Sequence, residues 1–225
     1  MSKPVLGARP EQRIANRVSA RNTAPTRPTP GHVTMKLVLA STSAYRKTLL
    51  ERLQIPFETA RPDTDETPLP GETPSATAER LAIEKAQAVA PTFPDALIIG
   101  SDQVAHLGSE VFAKPGTEAR AIEQLQRMRG RTVVFHTALA LLNTRTGHIQ
   151  CEGVPTLVRF RHLDDDEIRR YVERERPLDC AGSAKSEGLG ISLLEALSGD
   201  DPTALIGLPL IALSRMLRAQ GVQLP

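Results

Sequence analysis

The 225-residue chain is poor in aromatic residues. It has no tryptophan, five phenylalanines and two tyrosines, so aromatics make up 3% of it. Proteins that hold single-stranded nucleic acid usually offer several aromatic rings on which bases stack. Charge of one sign is also lacking, because 28 Lys and Arg face 26 Asp and Glu, for a formal net charge of +2. We therefore expect no nucleic-acid partner and no general attraction to anionic membranes.

Long hydrophobic runs are absent as well. The longest nearly apolar stretch, residues 204–213, has ten residues and contains Gly207 and Pro209. A membrane-spanning helix needs about 20 apolar residues. The sequence therefore argues against a membrane protein and favours a cytoplasmic location.

Metal-binding residues of the zinc type are few and scattered. The two cysteines, Cys151 and Cys180, form no CxxC motif, and no two of the five histidines stand four residues apart. Zinc sites usually show such short spacings. We expect two reduced, buried thiols and no zinc site.

The first 34 residues differ in composition from the rest. They carry six cationic residues against one acidic residue, a charge of +5, and five prolines, whereas the remaining 191 residues carry −3. Such a segment has too few large apolar side chains to form a core. We predict a disordered, basic, Pro-rich extension over residues 1–34, or a start codon assigned upstream of the true start at Met35. A single domain is predicted over 35–221, with a C-terminal tail at 222–225.

From residue 36 onward, apolar strand patterns alternate with amphipathic helix patterns, which predicts an α/β fold. The predicted strands cover residues 36–40, 56–60, 97–101, 132–142 and 148–162, with a hairpin at 108–109. The predicted helices cover about 45–53, 74–90, 117–130, 164–173 and 209–220.

An anion site is predicted where the first strand meets the first helix. Ser41 and Ser43 stand at the helix start, where hydroxyls, unpaired backbone N–H groups and the helix dipole converge. Arg46, one turn into the helix, can add a bidentate phosphate contact. An ordinary helix cap is the alternative, since serine is common at that position.

Four further side chains suggest phosphoanhydride chemistry when they are taken together. Asp102 follows the apolar strand 97–100, so we expect it at the strand mouth, where ligands of α/β sheets bind. Glu66 lies in a long loop, and Lys85 and Lys114 would separately pass for surface lysines. Carboxylates can bind Mg²⁺ or Mn²⁺ and accept a proton from water, while lysine and arginine neutralise a triphosphate.

The order and spacing of six motifs make the chain resemble the Maf family of nucleoside triphosphate pyrophosphatases. The motifs are LVLASTSAYR at 37–46, DE at 65–66, ERLAIEKA at 79–86, GSDQ at 100–103, KP at 114–115 and CAGSAKSEGLG at 180–190. The resemblance covers about residues 35–221. It implies an elongated mixed sheet flanked by helices, like that of inosine triphosphatases, together with divalent-metal dependence and release of pyrophosphate. A homodimer is frequent in the family, and the sequence leaves it open here.

The resemblance also assigns roles to residues. Asp102 matches the family's proton acceptor, and the matching polar pocket consists of Ser41, Arg46, Glu66, Lys85 and Lys114. Tyr45, Gln103 and Glu187 match the specificity positions of the branch that hydrolyses 7-methyl-GTP, whereas the dTTP/UTP branch has Arg, Thr and Gln there. The branch usually has Trp at position 45, Pro at 44 and Gly at 113, where this chain has Tyr, Ala and Ala.

Physical chemistry supports the same branch. N7-methylation makes guanine cationic, so stacking on Tyr45 gains a cation–π contribution of about 1–2 kcal/mol. The Glu187 carboxylate can accept hydrogen bonds from guanine N1–H and the 2-amino group, and its charge suits a cationic base.

The predicted mechanism places the triphosphate on Ser41, Ser43 and the cationic residues, with a metal held by Glu66 or Asp102 and water activated by Asp102. The sequence leaves open whether Asp102 is the base, a metal ligand or both. Three alternatives stay open: the same chemistry on dTTP, UTP or another modified nucleotide, a non-catalytic nucleotide-binding regulator of septum formation, and nucleic-acid binding through the basic leader.

Overall fold

The sheet and helices are seen in a computed structural model that describes residues 35–225. The predicted basic extension, residues 1–34, lies outside the described residues. Within the described range, the strands are β1 (Lys36–Ala40), β2 (Glu58–Ala60), β3 (Ala96–Leu107), β4 (Glu110–Phe112), β5 (Thr132–Asn143), β6 (His148–Phe160) and β7 (Leu194–Ser198). The helices there are α1 (Ala44–Glu51), α2 (Pro74–Val89), α3 (Glu118–Met128), α4 (Asp165–Glu175) and α5 (Leu210–Ala219).

The strands form one mixed sheet in the order β2-β1-β3-β5-β6-β7, with β4 also paired to β3. β1 is parallel to β2 and β3, whereas β3, β5, β6 and β7 pair antiparallel in turn. The predicted α/β fold with an elongated mixed sheet is confirmed. Within residues 35–225, no helix combines the length and apolar character that crossing a bilayer requires.

One edge of β3 is only partly covered by neighbouring strands, which leaves a gap in the sheet. On the side away from β5, β3 pairs with β1 up to Ile99 and with β4 from Ala105 onward. Residues 100–104 therefore have no neighbouring strand on that side within the described chain. The end of β1 and the end of β4 point toward each other across this gap. Whatever follows those two strands in the sequence is brought to the same place.

Four helices cover one face of the sheet and α2 covers the other. Leu50 of α1 and Leu213 of α5 pack on β1 and β3, while α3 and α4 enclose Phe135 and Phe160 further along the same face. A fully buried side chain of this size contributes about 1.5–3 kcal/mol to folding. The ends of β1 and β3 are thus set in a rigid core.

Small residues let α2 lie unusually close to β3. Ala78 and Ala82 of α2 pack on Ala138 and Ala140 of β5, and all four are fully buried. A Cβ placed on Gly100 would lie 2.0 Å from the carbonyl oxygen of Ala82. Only glycine fits at that position. The close packing places the part of α2 that carries Lys85 over the gap.

Local signals explain where the helices begin. The Thr73 hydroxyl accepts from the Ala76 amide and Pro74 occupies the first turn of α2, as its sequence predicts. In α4, Asp164 and Glu167 form a reciprocal capping box.

Three sequence-based expectations were wrong. β3 was expected to end near residue 101 but continues to Leu107, because β5 pairs with it along nearly its whole length. Asp102 therefore lies within the strand rather than at its end. β7 was not predicted, since Leu194–Ser198 contains no β-branched residue. Neither cysteine is fully buried: both are free, but Cys151 is exposed and Cys180 is partly buried.

Candidate functional site

The loop after β1 supplies the predicted anion-binding groups. Ser43 is the N-cap of α1, and its hydroxyl accepts from the Arg46 amide at 3.4 Å. The Ser41 hydroxyl accepts from the Ser43 amide at 3.1 Å. Both hydroxyls keep their own hydrogen for a further acceptor, and the first N–H groups of a helix have no partner within it. This corner at the sheet gap is suited to hold phosphate oxygens.

A buried lysine joins the two predicted carboxylates. The Nζ of Lys85, on α2, lies 2.6 Å from Asp102 Oδ1 and 2.5 Å from Glu66 Oε1. The Lys85 and Asp102 side chains expose only 7% and 12% of their surface, whereas Glu66 exposes 55%. Asp102 thus forms the floor of the gap, and Glu66 forms its solvent-facing rim.

Two more cations face this pair. The pKa of Arg46 is lowered by burial, and the Asp102 and Glu66 carboxylates oppose that shift. Burial would raise the pKa of Glu66, but Lys85 first, and then Lys114 and Arg46, lower it on balance. The predicted phosphate-binding cations and both carboxylates therefore act on one another in one site.

Arg46, which was predicted to bind phosphate, also makes a contact within the protein that was not predicted. Its Nε donates to the Gly207 carbonyl at 2.8 Å, and Ser101 Oγ donates to the same oxygen at 3.0 Å. Gly207 has a φ of +123°, which favours glycine. The Nε bond fixes the guanidinium plane at the gap.

The opposite face of β3 holds the turn over residues 201–207. Gln103 Nε2 donates to the carbonyls of Ala204 and Leu205 and to Thr137 Oγ1, at 2.8–3.0 Å. Thr137 Oγ1 also donates to the Ala204 carbonyl. Gln103, predicted as a specificity residue, thus has its amide nitrogen engaged by this turn, and its side-chain oxygen is the group left to act on a ligand.

Tyr45 lies beside the segment 179–187. Its hydroxyl donates to Asp179 Oδ2 at 3.4 Å, and the ammonium of Lys185 lies 5.9 Å from its ring centroid. Burial raises the pKa of Tyr45, with Asp179 adding to the shift and Lys185 opposing it. The ring therefore already carries a cation on one face, at a distance suited to a cation–π contact.

Glu187 lines a cavity of about 300 Å³ together with Thr156, Leu205 and Ile206. Tyr45 is not one of its lining residues. The turn that Gln103 holds forms part of the cavity wall, so two of the three predicted specificity residues are linked through one turn.

A family model described as "Maf-like protein" matches residues 36–220. This chain belongs to the Maf family. Three relatives named 7-methyl-GTP pyrophosphatase match it at length. That of Aromatoleum aromaticum is 74% identical over 190 residues, which cover 84% of this chain and 98% of the relative. That of Thiobacillus denitrificans is 61% identical, covering 83% and 92%. That of Polaromonas sp. is 57% identical, covering 91% and 93%.

Sequence reasoning on this Maf-family chain missed several residues that shape the site. Lys185 and Asp179 contact Tyr45, and Ser101 ties the turn to β3, yet none had been given a role. Lys185 stands inside the motif at 180–190, which was the available signal. Asp179 and Ser101 carry no local signal, because their partners are distant in the chain.

The Maf-family site could hold a divalent metal at Glu66 and Asp102. Among residues 35–225, no three His, Cys, Asp or Glu side chains are grouped so that they could bind a metal by themselves. Two converging carboxylates nevertheless fit Mg²⁺ or Mn²⁺, which commonly take one or two carboxylates and complete their shell with substrate phosphates and water.

Proposed function

We propose that this chain hydrolyses 7-methyl-GTP to 7-methyl-GMP and pyrophosphate. The observation that carries the proposal is the gap at β3, where Lys85 contacts both Asp102 and Glu66. Arg46 interacts electrostatically with both carboxylates, and Lys114 with Glu66. The names of the relatives from Aromatoleum aromaticum, Thiobacillus denitrificans and Polaromonas sp. support it.

The phosphate chain lies along the corner built by the loop after β1. Ser41 and Ser43 donate hydroxyl hydrogens to its oxygens, and the N–H groups at the start of α1 add further donors. The terminal nitrogens of Arg46 and the exposed Lys114 ammonium neutralise its charge. These groups orient the α-phosphorus toward the floor of the gap.

Asp102 acts as the general base in this proposal. It takes a proton from a water molecule while the water oxygen forms a bond to the α-phosphorus. The bond from that phosphorus to the α–β bridging oxygen breaks, and pyrophosphate leaves with the bond electrons. Before substrate binds, Lys85 balances the charge of the Asp102 carboxylate and keeps it in place.

Glu66 and Asp102 are the residues that would hold the divalent metal. When bound, Mg²⁺ or Mn²⁺ would withdraw charge from the phosphate oxygens and make pyrophosphate a better leaving group. The metal is Mg²⁺ or Mn²⁺, and Asp102 can serve as a metal ligand in addition to its role as base.

The base-recognition part of the proposal rests on Tyr45, Glu187 and Gln103. The Tyr45 ring has a cation-compatible face, and Glu187 is one of the residues that line a cavity. A cationic 7-methylguanine matches both. A cytoplasmic location stays a prediction, and a homodimer stays an open possibility from the family resemblance.

The test is pyrophosphate release from 7-methyl-GTP, GTP, dTTP, UTP and CTP, each with Mg²⁺ or Mn²⁺. Asp102→Asn is the control, and we expect its turnover to fall by at least about 100-fold, the usual size of a general-base effect. Preference for 7-methyl-GTP is the expected result. Preference for a pyrimidine nucleotide would keep the chemistry and refute the base assignment, and tight binding without turnover would favour a regulator.

A matched variant tests the base assignment directly. Replacing Tyr45→Arg, Gln103→Thr and Glu187→Gln together should move the preference from 7-methyl-GTP toward dTTP or UTP, because an arginine repels a cationic base. An unchanged preference in the folded triple variant would contradict the assignment.

A further inference from the structure

The ammonium of Lys85 lies between Glu66 and Asp102, the two carboxylates that would hold a divalent cation in the proposed function. Its Nζ is 2.5 Å from Glu66 Oε1 and 2.6 Å from Asp102 Oδ1. The side chain is 7% exposed and comes from α2, which is packed closely on β3 at Gly100. Lys85 is therefore held as a built-in cation rather than as a mobile surface lysine.

The charge around this position disfavours a free metal ion. Three cationic side chains, Arg46, Lys85 and Lys114, act on two carboxylates, Glu66 and Asp102, so the cluster carries +1. No third carboxylate, histidine or cysteine within residues 35–225 completes a metal-binding group. A divalent cation arriving alone would meet net positive charge and two carboxylates already paired. A triphosphate would meet an attractive site.

We propose that Lys85 takes the place of the cation in the substrate-free protein and leaves it only when substrate phosphates arrive, so that the metal binds with or after the triphosphate and not before it. The inference rests on the proposed function and concerns the order of binding at that site. Lys85 needs an anionic partner wherever it lies, because an unpaired buried ammonium is strongly unfavourable. Phosphate oxygens supply that partner, and the two carboxylates are then released for the metal.

Two binding properties follow. Free Mn²⁺ should bind weakly to the protein without nucleotide, and a polyphosphate should bind without any metal. The coupling is reciprocal, so the polyphosphate strengthens metal binding by the same factor by which the metal strengthens polyphosphate binding.

The first experiment measures Mn²⁺ alone, by the electron paramagnetic resonance signal of the free ion, with the full chain and no nucleotide. We expect a Kd above about 1 mM for the wild type and binding at least about tenfold tighter for Lys85→Met, since a neighbouring positive charge is removed. Lys114→Met is the matched control: it removes one charge from the same cluster but leaves the Lys85 bridge, and it should stay within about threefold of wild type. Lys85→Arg keeps the charge and should also bind weakly. Thermal melts show which variants are folded.

The second experiment titrates inorganic tripolyphosphate by calorimetry in the presence of EDTA. The wild type should bind it, and Lys85→Met should bind it about tenfold more weakly, because one phosphate-pairing charge is lost. Turnover of 7-methyl-GTP by the wild type is measured in parallel. Absence of turnover would overturn the proposed function, while the Mn²⁺ comparison between variants would still decide this inference.

Three results would overturn the inference. One is tight binding of Mn²⁺ alone by the wild type, with a Kd below about 100 µM, the range of a preformed site. Another is an equal gain in Mn²⁺ affinity for Lys114→Met and Lys85→Met, which would indicate general charge rather than the bridge. The third is a failure of tripolyphosphate to bind without metal. If Lys85→Met does not fold, Mn²⁺ binding and tripolyphosphate binding by the wild type can still overturn the inference.

Discussion

Replacing Gly100 with alanine should both destabilise the protein and disable its site. The added Cβ would lie 2.0 Å from the Ala82 carbonyl oxygen and 2.9 Å from the Ala86 amide nitrogen. Both atoms belong to the α2 backbone, so no side chain can turn away, and the helix as a whole must move. Overpacking of this kind costs about 3 kcal/mol. For a protein of this size, that corresponds to a fall in melting temperature of about 6–12 °C.

The same shift should weaken catalysis beyond what stability explains. α2 carries Lys85, and moving the helix outward withdraws the ammonium from Asp102. We expect kcat/KM for 7-methyl-GTP to fall by at least about tenfold at a temperature where Gly100→Ala is still folded. Circular dichroism melts and pyrophosphate release at that temperature are the two assays.

Gly108→Ala is the control for a glycine replaced without crowding. Its φ is +61° and nothing lies within 4 Å of the added Cβ, so the change should cost only the left-handed strain of about 1 kcal/mol. Its activity should match the wild type. If Gly100→Ala melted as high as Gly108→Ala and kept full activity, the argument that close packing of α2 positions Lys85 would be refuted.

Three further predictions concern other parts of the described chain. The Arg80 ion pair, helped by the Leu69 amide and the Thr77 hydroxyl, lowers the pKa of Glu72 from 4.5 to about 2. The ionised Glu72 therefore stabilises the fold above about pH 4.5, and this contribution is lost as the pH falls toward 2. The difference in melting temperature between wild type and Glu72→Gln should shrink between about pH 4.5 and 2. Burial raises the pKa of the Cys180 thiol to about 12, so iodoacetamide should label it at least about tenfold more slowly at pH 8 than an ordinary thiol. Fast labelling of Cys180 in the folded protein, measured by mass spectrometry, would contradict this. Asp201 is 3% exposed, and its carboxylate accepts two hydrogen bonds from Thr203 in the turn and one from the Ile211 amide at the start of α5. Asp201→Ala should therefore cost about 2–4 kcal/mol in a urea titration, and a cost below about 1 kcal/mol would count against the role of that carboxylate.

The fold was largely predictable because its strong elements carry local signals. The apolar run in β1 is followed directly by the capping serines of α1, and Thr73-Pro74 marks the start of α2. β7 lacked such a signal, because its strand state depends on pairing with β6 rather than on its own residues. The end of β3 was misplaced for the same reason.

The candidate site was predictable as a set of residues but not as a set of contacts. Asp102, Lys85 and Glu66 were each identified from the sequence, and the structure brings them together. The Lys85 ammonium can bridge both carboxylates only because α2 lies close to β3. That close approach depends on Gly100 of β3 and on the alanines of α2 that face it. The engagement of Gln103 by a distant turn likewise depends on tertiary packing.

The gap beside β3 leaves residues 100–104 without a neighbouring strand on one side, while α2 lies on one face of this stretch and the turn over 201–207 on the other. Successive residues of a strand point to opposite faces, so Asp102 and Gln103 are neighbours in the chain but serve different compartments. Asp102 faces Lys85 of α2, and Gln103 faces the turn that borders the Glu187 cavity. Substitutions near Glu187 can therefore leave the Asp102–Lys85 pair in place, whereas the turn contacts Arg46 as well as Gln103. A protein engineer seeking new nucleotide preferences should vary the residues around Glu187 in the cavity wall and leave Asp201, Gly207 and the α2 interface unchanged.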